Sequence, residues 1–460
     1  AALTPHAPIY IDGNAGFTKP DPVNGGGSGT VGDPYIIENW DISAESATGI
    51  WIGDTTDYFI IRNCYLHDGK DNNNEGIWFE NVTNGTIENC TTENNKNGIG
   101  LGNSDDTLIK NCITKNNLWQ GIVLYYSDNN IVTNCTAENN IDKGIVLVHS
   151  QNNLIKNCIC MNNWSGIEFN NSSNNNVENC IGGGNSGGIV LNMDSYNNII
   201  KNCILENSVG YGILLDNSDN NIVSGNTCEN NSLDGIYLTS SNNNLIENNM
   251  CKNNNGGVDL DNSNNNIVSH NTCSNNYYQG IQNGSGSDNN LISNNTCENN
   301  NEWGISISGS DNNTLTKNIC ENNSIDGILL YRSDNNFIEN CTAENNERNG
   351  ILLDNSPNNV VMNCTSKNNN FFGIFLEFGS DNNRVYHNNF INNTNQAYDD
   401  GTNYWDNGYP SGGNYWSDYA GSDANGDGIG DTPYFFYAGQ DRYPLMNLSL
   451  IHISEPTRPY

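Results

Sequence analysis

GILLDNSDNNIVSGNTC, Gly212 to Cys228, decides the fold, because close copies of it recur along the chain. GIWFENVTNGTIENC starts at Gly76, GIVLYYSDNNIVTNC at Gly121, GILLYRSDNNFIENC at Gly327 and GILLDNSPNNVVMNC at Gly350. Fifteen Gly-Ile or Gly-Val starts run from Gly49 to Gly373, spaced 22 to 27 residues apart and most often 23. A fixed period of this length marks a solenoid, in which each unit buries its apolar side only against its neighbours. Gly-Ile-x-Leu and x-Ile-x-x-Asn-x-Cys are two short alternating runs, the pattern of strands with one face inward. Asn-Asn and Ser-x-Asn-Asn separate them. Asn tolerates the left-handed bend, and stacked Asn amides bond to one another in a ladder. Helix-forming runs and the nine-residue calcium repeat are absent from the sequence. The pattern predicts an all-β, single-stranded, right-handed parallel β-helix of about 15 coils of ~23 residues, capped at both ends.

The 460 residues are too many for one ordinary core but suit a chain that grows by adding coils. Asp and Glu outnumber Lys and Arg by 52 to 17, a net charge of −35. A phosphate backbone and an anionic membrane surface would both be repelled. The acidity suits cations or neutral polymers, or serves solubility alone. No apolar run reaches the ~18 residues of a membrane span. Asn-x-Ser/Thr triplets such as Asn81, Asn84, Asn89, Asn134 and Asn163 suit an exported glycoprotein, but a chain this rich in Asn, Ser and Thr produces them by chance.

Fourteen of the fifteen cysteines fall once per repeat, and Cys160, two residues after Cys158, is the extra one. Neither paired spacings nor CxxC clusters occur. Cysteine at one phase of each repeat reads as a small apolar residue stacking on its neighbours, with no disulfides.

Residues 1–34 are expected to form an N-terminal cap, 35–395 the coils and 396–447 a C-terminal cap rich in Tyr, Trp, Gly and Asp. Residues 448–460 contain LSLIHISEPTR, unlike anything before them, and read as the conceptual translation of a transposon-type sequencing adapter. In the register of the frame, +1 and +3 after Gly point inward and +2 and +4 outward. A second outward column, Arg62, Glu88, Lys110, Lys156, Glu178 and Lys201, alternates in sign and reads as register control.

The repeats, the opening SGTVGDPYIIENWDI (Ser28 to Ile42) and the closing GGNYWSDYAGSDANGDGIGDTPY (Gly412 to Tyr434) with DRYPL together resemble the NosD-like right-handed parallel β-helix proteins. Such proteins are abundant among archaeal, especially methanogen, secreted and surface proteins. The resemblance covers nearly all of residues 9–447 and implies an extracellular, cell-surface location. Its labels imply periplasmic copper binding, as in copper delivery, or carbohydrate binding and sugar hydrolysis. Copper favours gathered His, Met or Cys. Here His6, His67, His149, His270 and His387 are scattered over distant coils and the Cys are expected to be buried, so no copper site is apparent.

Three sets of side chains offer chemistry. Asp423, Asn425 and Asp427 stand at positions 1, 3 and 5 of a calcium-type loop, with Gly428 at 6 and Asp431 at 9. Tyr434 replaces the acid at 12, so the choice is a Ca2+ turn ordering the cap or an Asp/Asn/Gly turn that needs no ion. Asp259 and Asp261 share one strand face at about 6.5–7 Å, and Asp354 and Glu377 sit on neighbouring coils at about 5 Å, with Tyr331 one coil before. Those separations fall within the range of glycosidase carboxylate pairs, though an acidic chain also places acids in register by chance. No Lys or Arg occupies +2 or +4, which removes a lyase base. Trp119, Trp164 and Trp303 precede coil-starting glycines, and Trp51, Trp78, Tyr125, Tyr237, Tyr331 and Phe375 lie on +2 or +4. Such rings beside Asn, Asp and Ser suit a polysaccharide groove, or pack on bends and other copies of the chain. The sequence therefore leaves three readings: glycan binding or envelope structure without catalysis, glycoside hydrolysis on the outward acidic face, and a purely structural role.

Overall fold

The computed structural model describes residues 3–18 and 23–449, so the reading of 448–460 as adapter falls almost wholly outside the described residues. Contacts divide the chain into two compact units, 1–245 and 246–460. Both are built of parallel coils with almost no helix.

In the first unit each coil has three walls. The coil of the quoted stretch shows them as Ile213–Asp216, Ile222–Ser224 and Thr227–Glu229, each hydrogen-bonded to the equivalent strand of the previous coil. The sequence pattern suggested two runs per coil. The second run is broken in two by a left-handed residue, Gly225 here (φ 66) and an Asn in most coils, such as Asn89 (φ 55). A residue in that conformation turns the chain by a corner without ending the ladder. First-wall side chains at +1 and +3, such as Ile213 and Leu215, are fully buried.

The second unit repeats this scheme from Val258–Asp261 to Asn395–Asp399 on its first wall. Gly327 shows why each coil starts on glycine. A Cβ there would stand 2.7 Å from the Gly350 carbonyl oxygen and 2.8 Å from the Ala343 Cβ, tighter than atoms tolerate.

Among the described residues the first wall has seventeen strands, ten in the first unit and seven in the second, against the fifteen expected. The two additional ones are Ile9–Asp12, paired with the strand starting at Ile50, and Asn395–Asp399, paired with the strand through Ile374. Pro8 and Gln396 stand where the other coils have Gly, so the Gly-Ile frame passed over them.

Polar ladders run through the corners. Asn130 donates its backbone N–H to Asn153 Oδ1 (2.8 Å), and Asn153 to Asn175 (2.8 Å). Their side-chain amides donate back to carbonyls of the preceding coil, as Asn153 Nδ2 does to Ser127 O (3.0 Å). The amides of Asn130, Asn153 and Asn175 are buried and bonded through both oxygen and nitrogen, which makes a polar corner compatible with a dry core, while the Nδ2 groups of Asn313 and Asn383 in the same ladder meet no acceptor.

All fifteen cysteines are unpaired and buried, but they do not keep one phase. Cys64, Cys90, Cys112, Cys135, Cys158, Cys180 and Cys203 occupy the corner after the second wall. In the next coil Asn226 takes that corner, its Oδ1 accepting the Cys203 N–H (2.9 Å), and Cys228 moves two residues on, opposite Leu205 of the third wall. In the second unit Cys251, Cys273, Cys297 and Cys320 lie on the third wall, and Cys341 and Cys364 return to the corner. The corner requires a small acceptor for the preceding coil's N–H. Asn Oδ1 and Cys Sγ both serve, as in Cys158 N–H to Cys180 Sγ (3.4 Å). Cys160, the second cysteine of its coil, is a third-wall residue beside Ala137 and Gly182.

Candidate functional site

The outward face of the first wall in the first unit is not an open fence of side chains. Val123, Val146, Glu168 and Val190, all at the outward +2 position, are buried by their neighbours. Over Val123 and Val146 lies a groove of about 290 Å3. Trp78, Trp119 and Tyr125 supply its rings, and Glu75, Lys96, Asn97, Gln120 and Lys143 its polar rim. The Trp78 indole lies over Gly100 and Gly102 of the following coil, where a Cβ would overlap it, and its Nε1 donates to Glu80 Oε2 (3.1 Å). Two side-chain-free positions thus seat a ring against the sheet. Trp119 is 47% exposed, with the Lys96 Nζ 4.8 Å from its ring centroid.

The rim charges are paired. Lys96 Nζ meets Glu75 Oε1 at 3.0 Å, and Glu75 Oε2 accepts the Asn97 N–H (2.8 Å). Lys143 Nζ meets Asp142 Oδ1 at 2.8 Å and Glu168 Oε1 at 3.7 Å. Asp142 Oδ2 accepts from Gln120 Nε2 (3.0 Å), and Glu168 accepts from Ser165 Oγ and Asn170 Nδ2. These rim residues sit one or two places before a coil-starting Gly. The sequence reading took only the aromatics from these positions and passed over Glu75, Lys96 and Gln120, which were visible there.

Trp164 is 62% exposed and belongs to an adjoining hollow with Tyr211, Ser165 and Glu168, and Tyr237 stacks on Tyr211 at 4.8 Å. Trp303, Tyr331 and Phe375 belong to the second unit. There Trp303 Nε1 donates to Asp326 (3.3 Å), Arg332 covers Tyr331 (4.9 Å), and Phe375 contacts Tyr398 at 4.4 Å, which stacks on Tyr437 at 4.8 Å.

Asp354 and Glu377 are direct register partners, with Tyr331 opposite Asp354 on the other side. Burial pushes both carboxyls up. Arg332 opposes this for Asp354, while the charges of Asp354 and then Asp400 add to it for Glu377. Asp326, fully buried one residue before Gly327, is also raised by burial, against the Asn349 hydrogen bonds that favour its charge. Asp259 and Asp261 lie on Val258–Asp261, four coils before Asp354 and so about 19 Å away at ~4.8 Å per coil. The two carboxylate pairs do not form one site.

The profile of the family described as periplasmic copper-binding protein (NosD) matches residues 209–284 and 283–421. That described as right-handed β-helix region matches 22–158 and 146–221. This chain is a NosD-like right-handed parallel β-helix protein. No curated protein matches it. Among solved structures, a mannuronic-acid-specific polysaccharide family 6 lyase from human gut microbiota is 12% identical over 67% of this chain and 87% of that one, with a TM-score of 0.50. The periplasmic alginate epimerase AlgG is 14% identical over 75% and 85%, with a TM-score of 0.36. The likeness to the lyase concerns the fold alone.

In this NosD-like chain the expected calcium loop turns its oxygens onto itself. Asp423 accepts the N–H groups of Gly426 (2.7 Å), Asp427 (3.2 Å) and Gly428 (2.9 Å), Asp427 that of Ile429 (2.9 Å), and Asp431 that of Ala424 (2.9 Å). Asn425 donates to Asp427 (2.9 Å). Among the described residues no three His, Cys, Asp or Glu side chains converge as a metal-binding set. The arrangement is that of an Asx-stabilised turn.

Proposed function

We propose that this chain is an exported, cell-surface protein that binds a glycan in the first-wall groove of its first unit without cleaving it. The observation that carries this reading is the meeting of Trp78, Trp119 and Tyr125 in one groove with amides and paired charges at its rim. Stacking faces with hydrogen-bonding edges are what a pyranose ring requires. A polysaccharide lyase of the same fold accords with such a ligand. The test is retention on a polysaccharide panel, followed by affinity measurement. Trp119→Ala is expected to weaken the retained glycan about tenfold or more. Retention of no glycan, or affinity unchanged in both Trp78→Ala and Trp119→Ala, overturns the proposal.

A second reading, glycoside hydrolysis in the second unit, is favoured by the register pairing of Asp354 with Glu377. Two neighbouring carboxyls both pushed up by burial, one further raised by the charge of the other, are the kind of pair from which a general acid and its partner are made. Cleavage of any panel polymer that disappears in Glu377→Gln and Asp354→Asn supports it, and cleavage that survives both removes it. Ca2+ at Asp423, Asn425, Asp427 and Asp431 is also a proposal. Thermal melts with Ca2+ and with chelator test it, and superimposable curves reject it.

A further inference from the structure

Resting on the glycan-binding reading, we infer that the groove selects uncharged glycans over uronate polymers, and that Glu75 sets this selectivity by holding the Lys96 ammonium. A uronate carboxylate binds tightly where it meets a free cation with donors to spare. The groove has two cations and neither is free. Lys96 is bound to Glu75 at 3.0 Å, and Lys143 lies between Asp142 at 2.8 Å and Glu168 at 3.7 Å. Glu75 is 8% exposed and its second oxygen is fixed by the Asn97 N–H, so it does not swing away to release the lysine. Glu80, held by Trp78 Nε1 and Asn103, adds a further negative charge beside the ring platform. Glu75 in the lining and Glu80, Asp142 and Glu168 bonded to lining residues set four carboxylates around two ammonium groups, in a chain whose net charge is −35. A polyanion entering it would displace an existing ion pair and meet like charge along the rim. A neutral sugar chain would stack on Trp78 and Trp119 and bond the polar rim with every ion pair intact.

The geometry also names the switch. Glutamine at position 75 keeps an oxygen for the Asn97 N–H while leaving the Lys96 ammonium, 4.8 Å from the Trp119 ring centroid, without a counter-charge. The experiment compares the full chain with Glu75→Gln, Lys96→Met and the double variant on neutral glucans, mannans and galactans, and on alginate and polygalacturonate. Wild type is expected to bind a neutral polymer and to bind both uronates at least about tenfold more weakly. Glu75→Gln is expected to gain about tenfold for a uronate at low salt, a gain that fades at 0.5 M NaCl and is absent from the double variant. Uronate binding by wild type that equals the neutral and is lost in Trp119→Ala overturns the inference while leaving the groove in place. No gain in a folded Glu75→Gln protein, judged by its circular dichroism, also overturns it. If no polymer binds, or both Trp78→Ala and Trp119→Ala leave neutral binding unchanged, the groove reading itself falls and this inference falls with it.

Discussion

The first walls of the two units share a backbone and differ in how they hold charge. In the first unit the carboxylates near the groove are partnered by lysines, and elsewhere in that unit Glu178 is held below its usual range chiefly by Lys201. In the second unit Asp326, Asp354 and Glu377 are pushed up by burial, opposed by Asn349 hydrogen bonds at Asp326 and by arginine charges, with no lysine paired to them among the described residues. Coil geometry fixes where side chains stand. The identity of the outward residues alone decides whether a face is neutralised or strained by its own acidity.

The largest test asks whether the shared frame is shared in energy. Gly121→Val and Gly327→Val each push a side chain into the next coil's glycine carbonyl, at 2.6 and 2.7 Å from Cβ. Both are expected to lose about 3 kcal/mol or more, by urea denaturation. Tolerance of one alone would break the equivalence of the two units.

The difference in charge predicts opposite responses to pH. Asp441, fully buried in the second unit, has its carboxyl pushed up to about 6 by burial, although the Asn414 N–H (2.7 Å) and Trp416 Nε1 (2.9 Å) favour its charge. The folded state therefore favours the protonated form. Its stabilising contribution is complete below the ordinary carboxylate range and is lost as pH rises through about 6, by up to about 3 kcal/mol. For Glu178 the sign reverses, since its charged form is favoured and its contribution is lost as pH falls through its lowered value. Hydrogen exchange is expected to show the second unit gaining protection around Asp441 between pH 8 and 5, the first gaining it only around His67, whose imidazole Asp68 and Asp41 hold up against desolvation, and the first losing protection around Glu178 below the ordinary carboxylate range. Asp441→Asn should remove much of the second unit's response, and identical profiles for the two units would refute the contrast.

The smallest test neutralises one charge on each face. Lys96→Met is expected to cost about 0.5 kcal/mol through loss of a partly exposed ion pair. Glu377→Gln should instead stabilise the protein at pH 8 by a few tenths of a kcal/mol, once solvent screening is allowed for. The same sign for both, in equilibrium unfolding, would show that the faces do not differ as described.

Much of this architecture was legible in the chain. Gly, Ile and Leu at fixed offsets announce a coil because close approach and inward alternation each demand a residue type. What escaped had physical causes. Pro8 and Gln396 hide two coils because they stand where the frame has glycine. The two-residue shift of Cys228 hid behind the chemical likeness of Cys and Asn as acceptors. The Glu75–Lys96 pair was invisible because both residues lie in a bend, where direction follows from backbone turns and not from strand alternation. Asp354 opposite Glu377 was foreseeable, since register in a solenoid is arithmetic, but the burial that raises their protonation is not written in spacing.

The shuttling of cysteine between corner and third wall has a practical consequence. Nearly every coil from Cys64 to Cys364 contains an unpaired thiol sealed from solvent, each at a known height along its unit. Alkylation by a small reagent requires local opening, so the labelling rate of each thiol, read by peptide mass, reports the opening free energy of its own coil. The molecule thus has a graduated internal scale, on which the order of coil melting is read without introducing a single probe.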